Sequence, residues 1–95
     1  MQFDPDLSHL SSADYEHVYE PAEDSYLMMD ALHAERPFLI SRFAQPVCVE
    51  VGSGSGVLLA YLSRALGGRG VYWATDINPR AAAATRRTMA ANEVC

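Results

Sequence analysis

The residues Glu50-Val51-Gly52-Ser53-Gly54-Ser55-Gly56, with Asp76 about 20 residues further on, form the chemically most suggestive constellation of this 95-residue chain. A strand that runs into glycines can turn sharply, and a missing Cβ lets a ligand touch the backbone. The helix after such a turn points its N–H groups back at the ligand and favours a carboxylate or phosphate there. An acid at the end of the next strand can accept hydrogen bonds from both ribose hydroxyls. Together these features point to a nucleoside ligand, set against the plainer reading of a turn that only joins a strand to a helix. The dinucleotide fingerprint is G-x-G-x-x-G. Here the third glycine, Gly56, comes one residue early, and Val57 stands where that fingerprint wants glycine. The branched side chain is expected to obstruct close helix–strand packing, which disfavours a diphosphate cofactor. Glu50 would repel a diphosphate and help to balance a cation. A nicotinamide-dependent oxidoreductase is kept as the rival.

The elements that must position these residues can be read from apolar spacing. Residues 1–18 are polar and mixed, without a sustained period, and read as a mobile or loosely docked arm; residues 19–95 read as the domain proper. Pro21 opens a helical pattern with Glu23 and Asp24 in the first turn, where carboxylates favour the positive end of the helix dipole. These two read as helix-start carboxylates before ligands. Leu27, Met28, Ala31 and Leu32 follow as an apolar face, and Pro37 should end the helix or start a short second one through Arg42. Val47–Val51 is too short for a helix and apolar on both faces, as buried parallel strands are. Val57–Leu66 is helical again, with Leu58, Leu62, Ala65 and Leu66 on one side, and Gly67-Gly68 stops it. Val71–Thr75 is a second strand. Asn78 caps a third helix with Pro79 in its first position, running to about Ala91 with Asn92 at its end. Strands alternating with helices imply an α/β fold with a parallel sheet and right-handed crossovers.

The pattern E-x-G-x-G-x-G at Glu50–Gly56 resembles the first motif of S-adenosylmethionine-dependent methyltransferases, whose ligand carries a sulfonium, an ammonium and a carboxylate but no phosphate. A second motif, Val18-Tyr19-Glu20-Pro21-Ala22-Glu23-Asp24-Ser25, is more specific. With Glu50–Gly56 and Thr75-Asp76-Ile77-Asn78-Pro79 it closely resembles the HemK-like protein glutamine methyltransferases of the eukaryotic and archaeal type, over roughly residues 18–92. The resemblance implies a Rossmann-like class I methyltransferase fold with S-adenosyl-L-methionine as cofactor. It implies N5-methylation of the glutamine in the Gly-Gly-Gln tip of a translation termination factor. It also implies a small zinc-containing activator subunit as heterodimer partner; DNA adenine and histone lysine are less favoured acceptors. Carried over by position, Ser25 lies near the methionine end of the cofactor, against a plainer reading as a surface helix residue. Glu50, Gly52 and Gly54 line the loop beneath it, Asp76 holds the ribose and Ile77 packs on the adenine face.

One departure concerns the acceptor. The family's Asn-Pro-Pro-aromatic motif is absent, and the nearest string, Asn78-Pro79, belongs to the second-strand turn. No catalytic residue is therefore assigned. Two parallel strands cannot bury both faces and both edges, and Val94-Cys95 lies where a third strand would begin. The chain is read as the N-terminal half of a methyltransferase domain, with a non-catalytic, partner-binding short form as the alternative. The formal charge of −5 and the scattered basic residues disfavour a nucleic-acid partner held by charge. Cys48 and Cys95 match no zinc or disulfide framework, and His9, His17 and His33 show no ligand spacing, so no metal site is expected. No apolar run approaches a membrane span, which makes a cytoplasmic or nuclear location the default.

Overall fold

A computed structural model describes residues 3–94 of the chain. Its elements are α1 (Ser12–Tyr15), α2 (Glu23–Arg42), β1 (Val47–Val51), α3 (Val57–Ala65), β2 (Val71–Thr75) and α4 (Pro79–Ala91). Both strands fall on the expected residues. They pair in parallel with Val47 opposite Val71 and Val51 opposite Thr75, so the turns after β1 and β2 lie side by side. Asn78 caps α4 by accepting from the Arg80 N–H at 3.0 Å, with Pro79 behind it as expected. The result is a small α/β unit.

Alternation divides the sheet into two unlike faces. Cys48, Glu50, Tyr72 and Ala74 turn inward, and α3 contacts both strands on that side. On the outer face Val47, Val49, Val51, Val71 and Trp73 are all exposed, Val51 by 84 %. Strands covered on both sides were expected; the described residues place their helical cover on one. α2 packs against α3.

Two further expectations are corrected, and of the mobile or loosely docked arm the docked form is found. First, α2 does not stop at Pro37 but continues to Arg42. Proline removes one helical N–H, and the carbonyl it leaves belongs to His33, which is exposed, as is Pro37; water can therefore satisfy it. Second, the buried stripe of α2 is Ser25, Met29 and half-buried Leu32, while Leu27 and Met28 face solvent. Met29 meets Val57, Tyr61 and Ala65 of α3, and that contact selects the face. The N-terminal arm is docked. Leu10 and Val18 are buried with Ala81 and Ala84 of α4, and Phe3 and Leu7 cover the α2–α3 cluster. Phe3 stands edge-on to Tyr61 at 6.3 Å, and the Arg36 guanidinium sits 4.8 Å over its ring. Polar ties fix the path of the arm. The Asp6 N–H donates to Asn92 Oδ1, Asn92 returns a bond to the Asp6 carbonyl, and His9 Nε2 lies 2.9 Å from Thr88 Oγ1.

Val94 follows α4 as irregular chain, and Cys95, the other half of the expected third-strand start, lies outside the described residues. Cys48 is half-buried beside Leu39, Leu62 and Leu66, where burial pushes its thiol up from the usual range. Among the described residues no three His, Cys, Asp or Glu side chains gather as metal ligands would, and no helix is long and apolar enough to cross a membrane.

Candidate functional site

The turn after β1 is held by backbone hydrogen bonds and by side chains that meet its backbone groups. The Gly52 and Ser53 N–H groups donate to the Thr75 carbonyl at 2.7 and 3.2 Å, tying the end of β1 to the end of β2. The Ser53 carbonyl accepts from the Gly56 N–H at 2.9 Å and closes the turn. Gly56 has φ +86°, and a Cβ there would sit 3.0 Å from the Thr85 backbone and 3.3 Å from Thr88. It is thus Gly56 that allows helix and turn to pack closely, here against α4. Val57, expected to obstruct that packing, instead buries its side chain toward Met29, Tyr61 and Ala65.

In front of the turn lies a crevice of about 350 Å³, walled by the start of α2 on one side and the Gly52–Leu58 segment on the other. Ser25, Glu50, Gly52 and Gly54 all line it, four of the six residues singled out from the sequence. Ser25 is only 8 % exposed and accepts a hydrogen bond from the Ala22 N–H, so the surface reading of this residue falls. A Cβ at Gly52 or Gly54 would meet nothing within 4 Å, which leaves room for a ligand against the backbone. Asp76 stands one hydrogen bond away: its Oδ2 accepts from the Gly54 N–H and its Oδ1 from the Asn78 N–H, both at 2.9 Å. These two amides hold its carboxyl below the usual range. Each oxygen keeps a lone pair for a further donor. Ile77 is fully exposed and takes no part in the lining.

Glu50 is the electrostatic centre of the crevice. Burial, with the neighbouring Asp76 charge adding to it, pushes its carboxyl up to about 7, while a hydrogen bond from the Leu59 N–H pulls the other way. Its Oε1 is buried without a hydrogen-bond partner among the described residues. A buried carboxylate oxygen left bare is costly unless a cation or donor meets it. The start of α3, which holds the phosphates in dinucleotide folds, is engaged by the chain itself: Ser55 Oγ accepts from the Val57 N–H and Glu50 occupies the Leu59 N–H. The lining holds Asp24 and Glu50 and neither Lys nor Arg. This donor set fits a cationic nucleoside with a ribose and fits a diphosphate poorly.

Sequence reading missed several residues that the fold brings here. Tyr19 lines the crevice and donates to Asp24 Oδ1 at 2.7 Å, so Asp24 is both a helix-start carboxylate and part of the wall. Tyr19 lay inside the quoted motif and could have been found there. Thr85 of α4 reaches the turn from behind, with no spacing signal to announce it.

The glycine turn of this small α/β unit is thus flanked by a bare acid and a backbone-held acid. Comparison with known proteins narrows this further. No family model matches the chain. The chain is similar to the methyltransferase HEMK2 of Mus musculus and to that of Homo sapiens, each 44 % identical over 90 residues. The match takes in 95 % of this chain and 41 % of each relative, so the chain spans about two fifths of the length of the curated relatives it matches. In sequence the chain is HemK-like, as its motifs imply.

Proposed function

We propose that this chain forms the cofactor shelf of a Rossmann-like class I methyltransferase, and that the protein methylates a protein glutamine amide. The observation that carries this reading is the crevice itself: acid-lined, with the Val57 and Leu59 N–H groups taken by the chain's own side chains, and centred on a buried carboxylate oxygen without a partner among the described residues. S-adenosyl-L-methionine supplies an electrophilic methyl group on a sulfonium. Glu50 and Ser25 face its amino-acid end, Gly52 and Gly54 admit it to the backbone, Asp76 accepts its ribose hydroxyls and Ile77 lies against the adenine. The HemK-like sequence supports the acceptor: the N5 nitrogen of the glutamine in a Gly-Gly-Gln translation termination factor. The proposal extends to a small zinc-containing activator subunit as partner, in the cytoplasm or nucleus.

Methyl transfer is an in-line displacement, and aiming the acceptor nitrogen supplies much of the acceleration. No Asn-Pro-Pro-aromatic string stands in this sequence, and Asn78-Pro79 is engaged in capping α4. The expected outcome for the 95-residue chain is therefore binding without turnover. Calorimetric titration with S-adenosylhomocysteine and with NAD tests the shelf, and only the first should bind tightly. Incubation with labelled cofactor and termination factor tests the rest. Stoichiometric methylation by these residues alone would show that acceptor handling had been misassigned.

A further inference from the structure

Gly54 is held in an unusual way. Its φ is +56°, and beyond its chain neighbours nothing lies within 4 Å of where a Cβ would be. Hydrogen bonds hold the two peptide units that meet at its Cα. Its N–H donates to Asp76 Oδ2 at 2.9 Å, and its carbonyl accepts from Thr85 Oγ1 at 2.9 Å. Thr85 is 3 % exposed and sits on α4, behind the turn and away from the crevice. Its Oγ1 also lies 2.7 Å from Ser53 Oγ. A hydroxyl carries one hydrogen, and a carbonyl can only accept. The Thr85 hydrogen therefore goes to Gly54, and Ser53 must donate to Thr85. The order is fixed: Ser53 donates to Thr85 and Thr85 to the Gly54 carbonyl, so one hydroxyl holds the chain on both sides of the Ser53–Gly54 peptide, whose N–H donates to Asp76.

We infer that Thr85 is a positioning residue for the cofactor, acting through Gly54 on the orientation of the Asp76 carboxylate. Without the Thr85 hydroxyl the Ser53–Gly54 peptide loses its ties on both flanks, the Ser53 side chain and the Gly54 carbonyl. Besides its bond to Asp76 it keeps only the bond from the Gly56 N–H to the Ser53 carbonyl, and it turns more freely. The Asp76 carboxylate then loses the fixed partner on Oδ2 that aims its remaining lone pairs at the ribose hydroxyls. The inference rests on the nucleoside reading of the crevice and adds to it a residue outside the lining. A satisfied core hydroxyl would share this burial and these bonds, but it would affect stability alone.

The test is cofactor affinity in the protein, measured by calorimetric titration with S-adenosylhomocysteine at a temperature where circular dichroism shows every variant fully folded. Thr85→Val keeps the shape and removes the hydroxyl, and should weaken binding about tenfold. Thr85→Ser restores the hydroxyl and should bind within about twofold of the parent. Should Thr85→Val fail to fold, Thr85→Cys takes its place with the same expected loss, because a thiol is a weak donor. A double-mutant cycle with Asp76→Ala gives the readout that a purely structural residue would not move. If Thr85 acts through Asp76, Thr85→Val adds little to the loss from Asp76→Ala; if it only stabilises the fold, the losses are independent. Parent-like binding by folded Thr85→Val, equal losses for the valine and serine variants, or full additivity in the cycle overturns the inference. Absence of S-adenosylhomocysteine binding by the parent protein would remove the nucleoside reading first, and this inference with it.

Discussion

Glu50 in the crevice and Asp76 one hydrogen bond beyond it live in opposite environments. Asp76 has a backbone N–H on each oxygen, remains partly in solvent and is held in its charged form. Glu50 is half-buried, has one oxygen buried and bare among the described residues, and is pushed up to about 7. Two carboxylates at the ends of neighbouring parallel strands thus have different work. The Asp76 end is pre-set to accept hydrogen bonds whether or not a ligand is present. The Glu50 end is incomplete, and a cation would complete it. On the proposed reading, recognition of a charged nucleoside is divided between an acid stabilised by its own chain and an acid that the ligand must stabilise.

Breaking the Glu50 end should have the larger effect. Glu50→Gln keeps the volume and removes the charge, and should weaken S-adenosylmethionine binding by about 2–4 kcal/mol near pH 8, as for a buried charge pair that loses one member. The same residue makes a pH test with two opposite signs. Its folded-state pKa lies above the ordinary value of 4.5, so protonation favours the folded chain. Its contribution to stability is complete below pH 4.5 and declines as pH rises through about 7. After discounting for its partial exposure this loss is about 1–2 kcal/mol. Affinity for the cationic ligand should do the reverse, rising as pH climbs through the same window because the ionised form is the one that binds. Thermal melts and titrations from pH 5.5 to 8 on the parent and on Glu50→Gln check both. Parallel pH slopes for the two proteins would show that Glu50 is not the titrating group. At the other end, Asp76→Ala should cost about 1–3 kcal/mol of cofactor affinity by stranding ribose hydroxyls and the Gly54 N–H. Unchanged affinity would sink the ribose assignment.

The contrast between the acids was only half legible in the sequence. Strand boundaries could be read because Pro46 and Gly52 bracket one apolar run, and Gly70 and Asp76 the other. The types and order of Glu50, Gly52, Gly54 and Asp76 were likewise local information. Their electrostatics were not, since the burial of Glu50 depends on α2 and α3 closing around it and the state of Asp76 on two amides from two turns. The arm illustrates the same limit. Leu7, Leu10 and Val18 follow no helical or strand period, yet they pack on surfaces that exist only after α3 and α4 are in place. Pro37 misled because a helix tolerates proline where water can reach the freed carbonyl. Thr85 was invisible because a single short hydroxyl in an alanine-rich helix carries no pattern; only its position against Gly54 gives it meaning.

The smallest expected effect sharpens the comparison from the Asp76 side. Asn78 caps α4 with its side chain and bonds the His17 carbonyl through Nδ2 at 2.8 Å, whereas its contact with Asp76 is made by the backbone N–H. Asn78→Ala should therefore separate stability from binding. Loss of the cap costs about 1 kcal/mol of folding stability, read as a lower denaturant midpoint. The backbone N–H remains, so Asp76 keeps both partners and cofactor affinity should stay within about twofold of the parent. A loss of affinity as large as the loss of stability would mean that Asp76 is aimed by the side-chain cap rather than by the chain itself. The two ends of the crevice would then both depend on contacts made elsewhere, and the difference between a pre-set acid and a waiting one would disappear.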